Sequence, residues 1–156
     1  MNDTPILICY DGSADAARAI DVAATLLGSR RAVVLDVAPP ITRAQSLGAL
    51  SPGVPEQAFE DLNRAEAGRV AGQGLEIARS SGFDAEARDA VAAPTWEGVV
   101  DLADELDAAA IVIGSRGLSG LKESLEGSLS HQVAEHAGRP VLIVPPANGG
   151  QPREGR

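Results

Sequence analysis

The feature that most constrains this chain is a set of short apolar runs separated by segments of helical spacing. The first run, Ile6-Leu7-Ile8-Cys9-Tyr10, is nearly continuous and stops at Asp11-Gly12. A run of that kind reads as a strand buried on both faces, because a half-exposed strand would alternate with polar residues. Ser13 then starts a helix. Its hydroxyl can cap free N–H groups, Asp15 suits the positive end, and Ala16, Ala17, Ile20, Ala23, Ala24 and Leu27 form an apolar stripe before Gly28. Ala32 to Val37 is a second apolar strand, and a βαβ unit with both strands buried implies a parallel sheet with a right-handed crossover.

From Ala38 to Pro55 the chain turns to Pro, Gly, Ser and Thr, which reads as a long surface loop suited to a lid. Glu56 to Ser81 is a long helical pattern weakened by Gly68, Gly72 and Gly74 and ended by Gly82. Phe83 to Val91 partly alternates, Thr95 to Leu106 returns to helical spacing, and Ala108 to Ile113 is the fourth strand. Leu129 to Ala137 is a short helix, and Val141 to Val144 is the fifth strand, closed by Pro145-Pro146. The expected fold is therefore α/β: a three-layer, open, doubly wound, five-stranded parallel sheet of Rossmann-like type. Its single domain runs over 1–146, with a disordered tail at 147–156 rich in Gly, Pro and charge. Aromatics make up only 3% of the chain against 44% hydrophobic residues, so Ala, Val, Leu and Ile must fill the core.

A net charge of -9 argues against binding to a nucleic-acid backbone or an anionic membrane surface. There is no apolar run of membrane-spanning length and no signal-peptide pattern at the start, so a cytoplasmic location is expected. The lone Cys9 lies in an apolar run and reads as a buried structural thiol.

Sheets of this kind bind ligands beyond the carboxyl ends of their strands, where strand order reverses. After Ile111-Val112-Ile113 come Gly114-Ser115-Arg116-Gly117, and then, at the start of a helix, Gly127-Ser128. Glycine lets backbone N–H groups come close to an anion, and arginine adds charge and a fork of donors. Gly127, Ser128, Leu129 and Ser130 can offer free N–H groups, hydroxyls and the positive end of a helix dipole to the same phosphates. The spacing is neither a Walker A loop nor GxGxxG. Alone, such a loop is as easily a turn; its place between a buried strand and a helix makes it a nucleotide site.

With these motifs on view, the chain resembles a universal stress protein domain of the UspA-like superfamily, in its ATP-binding branch marked by G-x2-G-x9-G-[ST]. The resemblance covers about residues 4 to 146: Asp11-Gly12-Ser13, the GSRGLSGLK stretch from Gly114 to Lys122, GSLS from Gly127 to Ser130, and PVLIV from Pro140 to Val144. It implies an adenine nucleotide alpha hydrolase-like fold. By the same resemblance Asp11, with the backbone near Tyr10 and Val37, holds the adenine end. Gly114 and Gly117 approach ribose and phosphates with Ile113 and Arg116 beside them, and Gly127, Ser128, Leu129 and Ser130 bind phosphates. ATP is implied as ligand, Mg²⁺ as its companion, and a homodimer through the last strand, Val141 to Val144, as the assembly. Glu123 and Glu126 depart from the pattern. A carboxylate beside Gly127 disfavours a triphosphate unless it points to solvent or binds the metal.

Other chemistries fit less well. His131 and His136 are badly spaced for one helical face and lack companion ligands, so no metal site is expected from them. No GxSxG is present, and neither histidine is placed by sequence to activate a serine. Asp101, Asp104, Glu105 and Asp107 read as a solvated helix end, and Trp96 as packing on the stripe with Val99, Val100 and Ala103. The sequence therefore favours a nucleotide-binding signalling module without catalytic residues. A slow ATPase or self-phosphorylating protein with Ser128 or Ser130 as acceptor stands as one alternative, and a member that has lost ATP as another.

Overall fold

The computed structural model describes residues 4–38, 55–115 and 129–147. Strand β1 (Ile6–Cys9) leads into helix α1 (Ala14–Leu27), strand β2 (Arg31–Ala38), helix α2 (Glu56–Ser80) and strand β3 (Asp84–Val91). Helix α3 (Thr95–Glu105), strand β4 (Ala110–Gly114), helix α4 (Leu129–His136) and strand β5 (Val141–Val144) complete the order. All five strands are parallel, in the order β3-β2-β1-β4-β5. The expected doubly wound sheet is thus observed, and strand order reverses between β1 and β4.

Each apolar strand splits its side chains between two cores. Ile6, Ile8, Tyr10, Val34 and Val112 face α1 and α2, where Ile20 and Ala78 meet them. Leu7, Cys9, Leu35, Val37, Ile111 and Ile113 face α3 and α4, against Val99, Leu102 and Val133. Continuous apolarity is the consequence of that double burial. The two sheet edges differ. Strand β3 reads DAEARDAV, with its four charged residues exposed to a large extent, whereas β5 reads VLIV and leaves Ile143 40% exposed.

Most element boundaries move by one residue from those expected, and two shifts have a clear cause. Ala38, expected to open the loop, is the last residue of β2 because it pairs with Val91. Strand β4 starts at Ala110 and not at Ala108. The chain needs those residues to turn out of α3: Asp107 takes a left-handed conformation with φ 47°, and the Ala108 amide donates back to the Ala103 carbonyl. That bond ends the helix in the manner of a Schellman turn, with Asp where Gly is commoner.

The Arg139 guanidinium ties this turn to the start of β5. It donates to the carbonyls of Ala108 at 2.6 Å and Ala103 at 2.9 Å, and it pairs with Asp104.

Candidate nucleotide site

The carboxyl ends of β1 and β4 lie side by side at the point of reversal. The Tyr10 amide extends the β1–β2 ladder by donating to the Leu35 carbonyl at 2.9 Å, and the chain then turns sharply. Gly12 makes that turn at φ 83°, a conformation that costs a side-chain-bearing residue. The Asp11 carboxylate accepts the Ser13 amide at 2.9 Å, and the Ser13 hydroxyl accepts the Ala16 amide at 3.1 Å as the N-cap of α1. Asp11 is therefore held in place, half-buried, at the mouth of the crevice.

Across the crevice, Gly114 ends β4 against the first turn of α1. A Cβ built there would lie 3.6 Å from the Asp15 backbone and meet nothing nearer among the described residues, which is ordinary contact. The described residues do not require glycine at 114. The next residue, Ser115, donates its amide to the Val144 carbonyl at 2.9 Å, and its own carbonyl accepts the Ser130 hydroxyl at 3.2 Å. Ser130 is buried, so this bond fixes the first turn of α4 beside the end of β4. Leu129 is partly buried against the core cluster that holds Cys9 and Ile113, and Ile113 itself is fully buried.

Of the residues expected from sequence, Tyr10, Asp11, Ile113, Gly114, Leu129 and Ser130 gather around the ends of β1 and β4. Val37 lies one strand away, near the end of β2. Its side chain is buried toward α3, where a Cβ on Gly98 would come within 3.1 Å of it, so only its backbone faces outward. Arg116, Gly117, Gly127 and Ser128 lie outside the described residues, as do Glu123, Glu126 and nearly all of the loop expected from Ala38 to Pro55.

The sequence reading passed over Asp36. It stands in the otherwise apolar β2 run, on the Tyr10 side of the sheet, half-buried and next to Val37. Burial together with the Asp11 carboxylate pushes Asp36 up to about 6, against a smaller opposing pull from the Val37 backbone N–H; Glu66 and Asp89 add to the rise. A charged residue within a doubly buried strand was the signal available for it. Burial, with Asp36 and Asp11 nearby, also pushes the Cys9 thiol up to about 12, so it is an inert core group.

Away from this site, Trp96 stacks on His136 with ring centroids 4.3 Å apart. Among the described residues no three His, Cys, Asp or Glu side chains converge as metal ligands, and no helix is long and apolar enough to cross a membrane.

The universal stress protein family matches residues 4–145. The chain is similar to universal stress protein YxiE of Bacillus subtilis (strain 168), with 34% identity over 146 residues, covering 89% of this chain and 97% of that one. Among solved structures, it is similar to a universal stress protein in complex with cAMP, at 26% identity and TM-score 0.63, covering 90% of this chain and 96% of that one. It is also similar to the universal stress protein from Archaeoglobus fulgidus in complex with dAMP, at 27% identity and TM-score 0.61, covering 90% and 97%.

Proposed function

The chain belongs to the universal stress protein family, and from that premise we propose that it binds an adenine nucleotide in the crevice between β1 and β4. The observation that carries this reading is Gly114. It sits at the reversal of strand order, where α/β sheets bind ligands, yet the described residues packed around it leave room for a methyl group. A glycine that those neighbours do not need is accounted for by a ligand that must come close to the backbone. Two similar structures that hold cAMP and dAMP support the adenine part.

In this reading Asp11, with the backbone of Tyr10 and Val37, holds the adenine end. Ile113 and Gly114 face the ribose, and Arg116, Gly117, Gly127, Ser128, Leu129 and Ser130 surround the phosphates. ATP is the expected nucleotide, with Mg²⁺ on its phosphates. The protein acts as a cytoplasmic stress-response module and signals by nucleotide occupancy. It works as a homodimer: the β5 edge is apolar and exposes Ile143, whereas the β3 edge carries the charges that discourage pairing. Sedimentation at micromolar concentration tests the assembly.

The test of the site is Gly114→Ala, followed by calorimetry with ATP, ADP, AMP and cAMP. The variant keeps its stability within about 0.5 kcal/mol, since the added methyl meets only ordinary contacts. Its Kd for the nucleotide rises at least about tenfold, or roughly 1.4 kcal/mol. An unchanged Kd in the folded variant removes Gly114 from the site. Absence of binding by the wild type at millimolar nucleotide overturns the whole reading.

A further inference from the structure

Helix α2 is unevenly anchored. Its only buried side chains among those described are Ala67, Ala71 and Ala78, so the turns from Gln57 to Glu66 have none, and Leu62 is 58% exposed. The C-terminal end is held by Ala78 in the core and by the Ser81 hydroxyl, which donates to Asp21 at 2.9 Å. Beside the buried Ala67, the helix passes over a carboxylate. A Cβ on Gly68 would lie 3.7 Å from Asp89 Oδ1, so the helix backbone passes directly over that side chain. Asp89 is the register partner of Asp36 on the neighbouring strand.

The groups that face Asp36 are nearly all acidic or neutral. From the end of β1 come Asp11 and Tyr10; from β3 comes Asp89; from α2 comes the charge of Glu66. On α2, Arg69 is exposed and bonded to Glu66 at 2.8 Å through Nε, and Arg64 is exposed. Arg88, beside Asp89, pairs with Glu105 of α3.

We propose that the seating of the N-terminal half of α2 is a proton-dependent latch: Asp36, ionised among Asp11, Asp89 and Glu66, loosens the helix from the sheet, and protonated Asp36 lets it close. The displacement of Asp36 toward neutrality agrees with this arrangement. Its effect reaches the crevice because the same helix touches both Gly12, through Val70, and Tyr10, through Gly74. The latch is a property of the fold and holds whether or not the crevice takes a nucleotide.

The sign follows from linkage. A carboxyl whose pKa is higher when the helix is seated than when it is open favours the seated state at low pH, and that preference is lost as pH rises through the seated value near 6. Hydrogen exchange measured by mass spectrometry on the full chain, corrected for intrinsic rates, tests it at about pH 5 and about pH 7.5. Amides of residues 59–72 exchange about three- to tenfold faster at the higher pH, while those of 75–80 and of α1 keep a constant protection. Asp36→Asn abolishes the difference and stays protected at both; Asp89→Asn, which leaves the Asp36 carboxyl in place, reduces it. Equal protection of 59–72 at both pH values overturns the latch. So does a pH response that survives in Asp36→Asn or extends equally over α1.

Discussion

Two glycines on the same helix give opposite expectations for the same substitution. Gly74 is buried under the sheet-facing side of α2, and a Cβ there would stand 2.7 Å from Cγ and Cδ1 of Tyr10 and 2.8 Å from Cγ1 of Val34. Carbon atoms prefer about 3.5–4.0 Å, so helix or ring must yield by roughly 1 Å. Overpacking of that kind costs about 1–3 kcal/mol, against a gain of about 1 kcal/mol in helix propensity when Gly becomes Ala. Gly74→Ala is therefore destabilised by about 1 kcal/mol. At Gly72 a Cβ meets nothing within 4 Å among the described residues, so Gly72→Ala keeps the propensity gain and is stabilised by about 0.5–1 kcal/mol. Because propensity is common to both, the difference between the variants isolates the clash at about 2 kcal/mol, a Tm gap of roughly 4–8 °C for a chain of this size. Denaturant unfolding of the two variants beside wild type measures it. Tyr10, the one tyrosine of the chain, reports the local displacement through its ring resonances. Equal stabilities for the two variants, or an undisturbed Tyr10 ring in Gly74→Ala, would show that α2 does not rest on Tyr10 as described.

Stability should also fall with rising pH at one group. Asp36, raised from an ordinary 3.8 to about 6, is easier to ionise in the unfolded chain, so folding loses stability as pH climbs from the lower value through the upper. The shift corresponds to about 3 kcal/mol, reduced to roughly 1–1.5 kcal/mol by solvent screening at this half-buried position. Asp36→Asn is then more stable than wild type by about 1 kcal/mol near neutral pH and equal to it in mild acid, which urea unfolding at two pH values checks. Removing Arg139 takes the guanidinium from the Ala103 and Ala108 carbonyls and from Asp104. Arg139→Ala should cost about 2 kcal/mol, a Tm fall of roughly 4–8 °C, and Arg139→Lys should restore only part of it. A variant as stable as wild type in thermal unfolding would mean that the turn after α3 holds without the arginine.

The local elements were legible in this sequence because their causes are local. Apolar runs such as Ile6 to Cys9 had to be strands buried on both faces, and Ser13 had to cap a helix. The parallel sheet and its crossovers followed from the handedness of βαβ units. Asp11 and Gly114 could be singled out as crevice residues, since ligand sites of this architecture lie beyond the strand ends. The tertiary structure decided what depends on neighbours distant along the chain. Gly68, Gly72 and Gly74 look alike in sequence as helix weakeners. Only the packing of α2 over β1 to β3 sets Gly74 against Tyr10, places Gly68 above Asp89, and leaves Gly72 in open space. Asp36 likewise is pushed up only because the assembled layers half-bury it and the end of β1 brings up Asp11, with Asp89 beside it in register adding a little. Propensity and periodicity act within a few residues and are written in the chain, whereas contact distance, burial and the field at a carboxylate belong to the assembled layers.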